Sequence, residues 1–200
     1  MISNFIPGIY PGVLTPIAPD APDGPVPGFQ VRFQALMADA AAIYGPRDCT
    51  WNLLGLEILP LDASPAVAVS PAGDKNCVLR VSADINEAEW LMDWQLSHEV
   101  VHLLSPPIRP VATIFEEGVA SYNQHRIAME WHRRYHVGFK IHQQAFDLVM
   151  PLIKAHPDGV RNLRAESELR LSPVTSELIC NYFPTVTMEN AVILAGPFYI

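Results

Sequence analysis

Residues 86–104 read NEAEWLMDWQLSHEVVHLL, and this stretch decides how the rest of the chain is understood. Asn86-x-x-Glu89 has the form of a capping box. Residues 87–104 are nearly all helix-compatible, and Pro106-Pro107 end the segment. The pattern predicts one helix, apolar on several sides: Leu91 and Trp94 share the histidine face, and Met92, Leu96, Val100 and Leu103 cover the others. A helix apolar all round is a central, buried one. Within it lies His98-Glu99-Val100-Val101-His102, an HExxH pattern that chance produces only about 0.01 times in a chain of this composition. Helical residues four apart lie about 40° apart around the axis, so both imidazoles leave one face. Buried histidines need partners, and two neutral rings so placed can bind one zinc. Glu99 lies about 100° round from His98, too far to ligate comfortably but within reach of a metal-activated water, where a general base belongs.

Working outward, residues 29–44 (FQVRFQALMADAAAIY) predict a helix, with Phe33, Leu36, Met37 and Ala40 at helical spacing and Gly45-Pro46 as its stop. Thr50–Leu59, Ala66–Ser70 and Asn76–Ser82 are short β-prone runs separated by turn residues, and predict a small sheet. After the HExxH helix, Thr113-x-x-Glu116 forms a second capping box, opening a helix expected to reach His136. Residues 139–155 predict another helix with a kink at Pro151, and the tail after 157 is weakly patterned. Residues 1–28 hold seven prolines and read as an extended arm, separable from a domain spanning 29–200.

A zinc site needs a third protein ligand and keeps its fourth position open. After the proline-rich loop following His102, the second helix begins Phe115-Glu116-Glu117-Gly118-Val119-Ala120. HExxH with a downstream Glu-Gly-x-Ala resembles the gluzincin branch of the zincin metallopeptidases, over residues 76–122. In that branch the glutamate before the glycine is the third ligand, which maps to Glu117, with Glu116 as the alternative. The resemblance implies an α+β, compact zincin-like domain: a small, partly antiparallel sheet packed on a central HExxH helix, with C-terminal helices. Asn76–Ser82 would be the sheet edge to which an extended peptide adds. It also implies a zinc-dependent peptidase with Zn2+ on His98, His102 and Glu117 and with Glu99 as general base. The alternative is a catalytically idle, zinc-bound interaction or scaffold protein. Three departures stand out. The gap between the motifs is shorter than in the aminopeptidase gluzincins, and their GAMEN-type segment is missing. Ser121 stands one turn after Glu117, where thermolysin-like members carry an aspartate that orients a zinc histidine.

Composition bounds the rest. Two hundred residues suit one domain, and half of them are apolar with only 17% charged, which excludes general disorder. The net charge of −8 argues against nucleic acid or an anionic membrane as partner; a peptide or protein substrate is what the resemblance implies. No apolar run approaches a bilayer span, and the start, MISNFIPGIYPG, is a poor signal peptide. Cys49, Cys77 and Cys180 fit neither a disulfide framework nor a zinc knuckle; they read as small buried hydrophobes in a reducing, cytoplasmic protein. Trp90 and Trp94 read as packing around the active helix. His125, His132 and His136 share one face of the second helix and read as a solvated basic face, a second metal site or a source of the transition-state donor. Tyr122 and Tyr135 are further donor candidates.

Overall fold

The computed structural model describes residues 14, 15, 17, 26–61, 63–70, 72–106, 111–134 and 140–199. Among these residues, seven α-helices and one three-stranded mixed sheet make an α+β fold. Helix α1 (Phe29–Tyr44) leads into β1 (Asn52–Leu59), β2 (Ala66–Val69) and β3 (Asn76–Ser82). A 3-10 turn at Ala83–Asn86 then delivers the chain to α2 (Glu89–Leu104) and α3 (Ile114–His132). Four more helices follow: α4 (Lys140–Ala155), α5 (Gly159–Glu166), α6 (Ser176–Tyr182) and α7 (Met188–Ala195). The weakly patterned tail is therefore helical; Thr175 and Thr187 cap its last two helices by accepting from Leu178 N and Asn190 N. No helix among the described residues is long and apolar enough to cross a membrane.

The sheet runs in the order β1-β3-β2, with β1 parallel and β2 antiparallel to β3. Asn76–Ser82 is thus the central strand, not the edge that the resemblance implied. Its residues Cys77, Val78, Leu79 and Val81 are fully buried, as a strand flanked on both sides requires. One residue of the proline-rich arm touches this sheet: Thr15 exchanges two backbone hydrogen bonds with Leu56, of 2.9 and 2.8 Å. Gly55 permits it, because a Cβ there would lie 2.7 Å from Thr15 O. Val26, also in the arm, is buried in the core.

Two helix boundaries depart from expectation. Asn86 does not cap α2: it closes the 3-10 turn, its Nδ2 donating to Ala83 O at 3.0 Å, and the N-cap is Ala88 with no side-chain bond. Helix α3 stops at His132, not His136, because Arg133 adopts the left-handed conformation and Arg134 N–H turns back onto Ala128 O. Tyr135 and His136 lie outside the described residues. Of the three cysteines, all free, Cys77 is buried, Cys180 half-buried and Cys49 exposed, so the expectation of three buried thiols holds only for the first.

Candidate metal centre

Helix α2 is buried from Gln95 to Leu104, and the four-residue spacing of His98 and His102 places both rings on the side facing α3. The start of α3 is fixed by its cap: Thr113 Oγ1 accepts from Glu116 N at 3.1 Å. A second clamp comes from the C-terminal segment, where Gly196 O accepts from Ile114 N at 2.9 Å and Phe198 N donates to Ala112 O at 2.8 Å. Further along, Asn123 Nδ2 donates to Ser97 O at 2.7 Å and Gln124 Nε2 to Trp94 O at 3.0 Å, fastening α3 to α2 beside His98. The first turn of α3 therefore presents Glu116 and Glu117, both buried, to the two histidines.

The two glutamates do different things. Glu116 Oε1 accepts from His102 Nδ1 at 2.7 Å. A carboxylate only accepts, so His102 carries a proton on Nδ1 and turns Nε2 inward, where a metal could displace the second ring proton. That Nε2 lies 3.3 Å from His98 Nε2 and 3.7 Å from Glu117 Oε1, and His98 Nε2 lies 3.3 Å from Glu117 Oε2. Two ligands about 2.05 Å from a tetrahedral ion are separated by about 3.3 Å. The two 3.3 Å separations match that value and the third is longer; His98, His102 and Glu117 are the one group among the described residues that could hold a metal ion. Buried polar atoms normally find partners. Here Glu117 Oε2, Glu99 Oε2 and His98 Nδ1 have no hydrogen-bond partner among the described residues, and a cation would engage the first of them.

The electrostatics agree. Burial pulls His98 down to about 3. Burial also opposes charge on His102, but the carboxylates of Glu117 and Glu116 outweigh it and lift that ring to about 9. Burial works against ionised Glu117 as well, yet His102, His142 and His98 hold it well below the usual carboxylate range. Without a cation the group is one ionised carboxylate and one protonated imidazole in a buried space. Burial pushes the Glu99 carboxyl up, so it holds a proton more readily than an exposed glutamate.

Glu116, expected as a cap residue or an alternative ligand, orients His102 instead, and supplies the carboxylate that Ser121 lacks. Ser121 Oγ is buried with no hydrogen-bond partner among the described residues. The other described candidates lie apart from the group. His132 Nε2 sits 2.8 Å from Asp93 Oδ2. Tyr122 and His125 both pack on the Phe146 ring, in a cavity of about 310 Å³ between α3 and α4. Sequence reasoning missed His142, whose Nε2 lies 3.6 Å from Glu117 Oε2. Nothing in its spacing marks it, because the close approach of α4 to α3 brings it there. Gly118 allows that approach: a Cβ would fall 2.4 Å from Val149 Cγ2 and 2.7 Å from Ala145 O. Comparison with protein-family models, with curated proteins and with solved structures finds no match for this chain.

Proposed function

We propose that this protein is a zinc metallopeptidase of the zincin type, similar to gluzincins, that hydrolyses peptide bonds in peptides or proteins. The observation that carries the reading is the convergence of the ligand atoms of His98, His102 and Glu117 within 4.8 Å of one another, with Glu99 buried on the same helix. Two imidazoles and a carboxylate with no thiolate suit zinc in an open, catalytic site. A bound zinc polarises a carbonyl and lowers the pKa of water at its open position.

The chain's own residues do the rest. His98, His102 and Glu117 hold the ion, and Glu116 fixes the ring of His102. Glu99, with its affinity for protons raised by burial, takes a proton from the attacking water and returns it to the leaving amine. An extended substrate adds to a sheet edge. Free cysteines and the charge of −8 support a reducing, cytoplasmic setting without nucleic acid or membrane as partner.

The test is metal analysis together with cleavage of a peptide library. Purified protein should carry close to one zinc per chain. Glu99→Gln should keep the metal and lose about 10²–10⁴-fold in hydrolysis, because the amide preserves shape but cannot take a proton. Full activity in that variant would place the base elsewhere. Bound zinc with no cleavage by the unmodified protein would favour an idle, scaffold role.

A further inference from the structure

Tyr122 and His125, which the sequence offers as donor candidates, share one stripe of α3 with Met129, at steps of three and four residues. Phe146, Met150 and Lys154 make a stripe of α4, each four residues after the last. The two helices press together at Gly118, against Ala145 and Val149. Further along, the two stripes line a cavity of about 310 Å³. Ligand cavities run from roughly 300 to 1,000 Å³, so this one is at the small end and suits a molecule with a single ring.

The walls match an aromatic group. The rings of Tyr122 and Phe146 lie 6.5 Å apart between centroids and 21° from parallel, and His125 meets Phe146 edge-on at 5.1 Å. Burial, with the nearby charge of Lys154 adding to it, lowers the pKa of His125, so its ring is mostly neutral at pH 7. Met129 and Met150 contribute unbranched thioethers, which adapt to a ligand and favour contact with an aromatic edge. Met129 is 43% exposed, so this part of the lining is reached from solvent.

Charge then decides the sign of the ligand. Arg126 and Glu130 also line the cavity, but they pair with each other at 2.9 Å, and Arg126 is further held by Asp39. Lys154 is exposed and forms no ion pair among the described residues. One uncompensated ammonium beside aromatic and thioether walls favours an anion with an apolar body.

We propose that the α3–α4 cavity is a binding site, separate from the metal centre, for a small aromatic carboxylate. The ring packs among Tyr122, Phe146, Met129 and Met150, and the carboxylate pairs with Lys154. The assignment does not depend on the peptidase reading. An ion pair to an exposed lysine contributes a factor of about five at most, so the ring supplies most of the affinity and the lysine supplies the preference for an acid.

The probes are hydrocinnamate (a phenyl ring on a short carboxylate tail), the neutral hydrocinnamyl alcohol and the ring-free hexanoate. Each is titrated into the full chain with its methionine methyl groups labelled for NMR. Hydrocinnamate should shift the Met129 and Met150 methyl signals, saturating in the millimolar range or below, and should do so equally with and without added zinc. The alcohol should bind about fivefold more weakly, and hexanoate should also bind more weakly than hydrocinnamate. Lys154→Glu changes only an exposed side chain; it should weaken hydrocinnamate about tenfold and leave the alcohol unaffected. The proposal is overturned by the lack of a saturable shift at Met129 and Met150, by equal affinity for acid and alcohol, or by a Lys154→Glu protein that binds the acid as before. Loss of the shifts on zinc loading would place the ligand at the metal centre and overturn it too.

Discussion

Glu116 and Glu117 are adjacent in the chain and face different atoms: the first meets Nδ1 of His102, the second the inward Nε2 atoms of both histidines. Their substitutions should therefore separate. Glu117→Ala removes a donor from the group and should abolish stoichiometric metal binding. Glu116→Gln leaves every donor in place but loosens the ring of His102, and should cost about 10–100-fold in affinity. Competition with a chelator of known affinity measures both, and equal losses would contradict the division of roles. The same residues set a proton balance. In the metal-free protein His102 titrates near 9, so at pH 7 it holds a proton. A metal needs that lone pair, so binding at pH 7 should release close to one proton, and the release should fade as pH rises above about 9. Titration calorimetry in buffers with different protonation heats reads this directly. Identical observed heats would mean that no proton leaves.

At the scale of elements, the centre depends on how closely α3 lies against α4. Gly118 follows Glu117, and its missing side chain is what lets Val149 and the Ala145 carbonyl approach. Gly118→Ala gains intrinsic helix propensity, about 1 kcal/mol in an unpacked helix. Here the gain meets overpacking that typically costs about 1–3 kcal/mol, and the clash at 2.4 and 2.7 Å is severe. We expect a net loss of stability in thermal or denaturant unfolding. Adding Val149→Ala should relieve only part of it, because Ala145 O is backbone and cannot turn away. A stabilised Gly118→Ala would show that the two helices have room to separate. The glycine of the Glu-Gly-x-Ala pattern thus has a packing reason here, independent of any resemblance.

At the scale of the molecule, Arg164 joins the ends of three helices. It is fully buried, and burial lowers its pKa to about 10, still charged at neutral pH. It donates to Tyr44 O at the end of α1, to Gly45 O and Pro46 O just past it, to Leu104 O at the end of α2, and to Leu169 O beyond its own helix. Each stranded buried carbonyl costs about 1–3 kcal/mol, so Arg164→Met should lose on the order of 3 kcal/mol or more. Arg164→Lys should recover little, since an ammonium cannot span the same fork of acceptors. Denaturant midpoints test both, and a shift within about 0.5 kcal/mol for Arg164→Met would mean that water replaces the guanidinium.

Periodicity and punctuation along the chain were enough for α1, for the three strands to within a residue or two, and for the placing of His98 and His102 on one helical face. Those features depend on local backbone preference and on spacing within a single element, which the sequence states outright. The capping signal at Thr113 was also legible, because a side chain three residues from its acceptor is a local matter. Asn86 misled for the same reason: a 3-10 turn competed for it, and the competition was settled by how β3 meets α2. The central position of β3, the different partners of Glu116 and Glu117, the arrival of His142 beside His98 and Glu117 and the burial of Arg164 all depend on which distant segments meet. Such meetings follow from the packing of whole elements, to which no single stretch of residues holds the pattern.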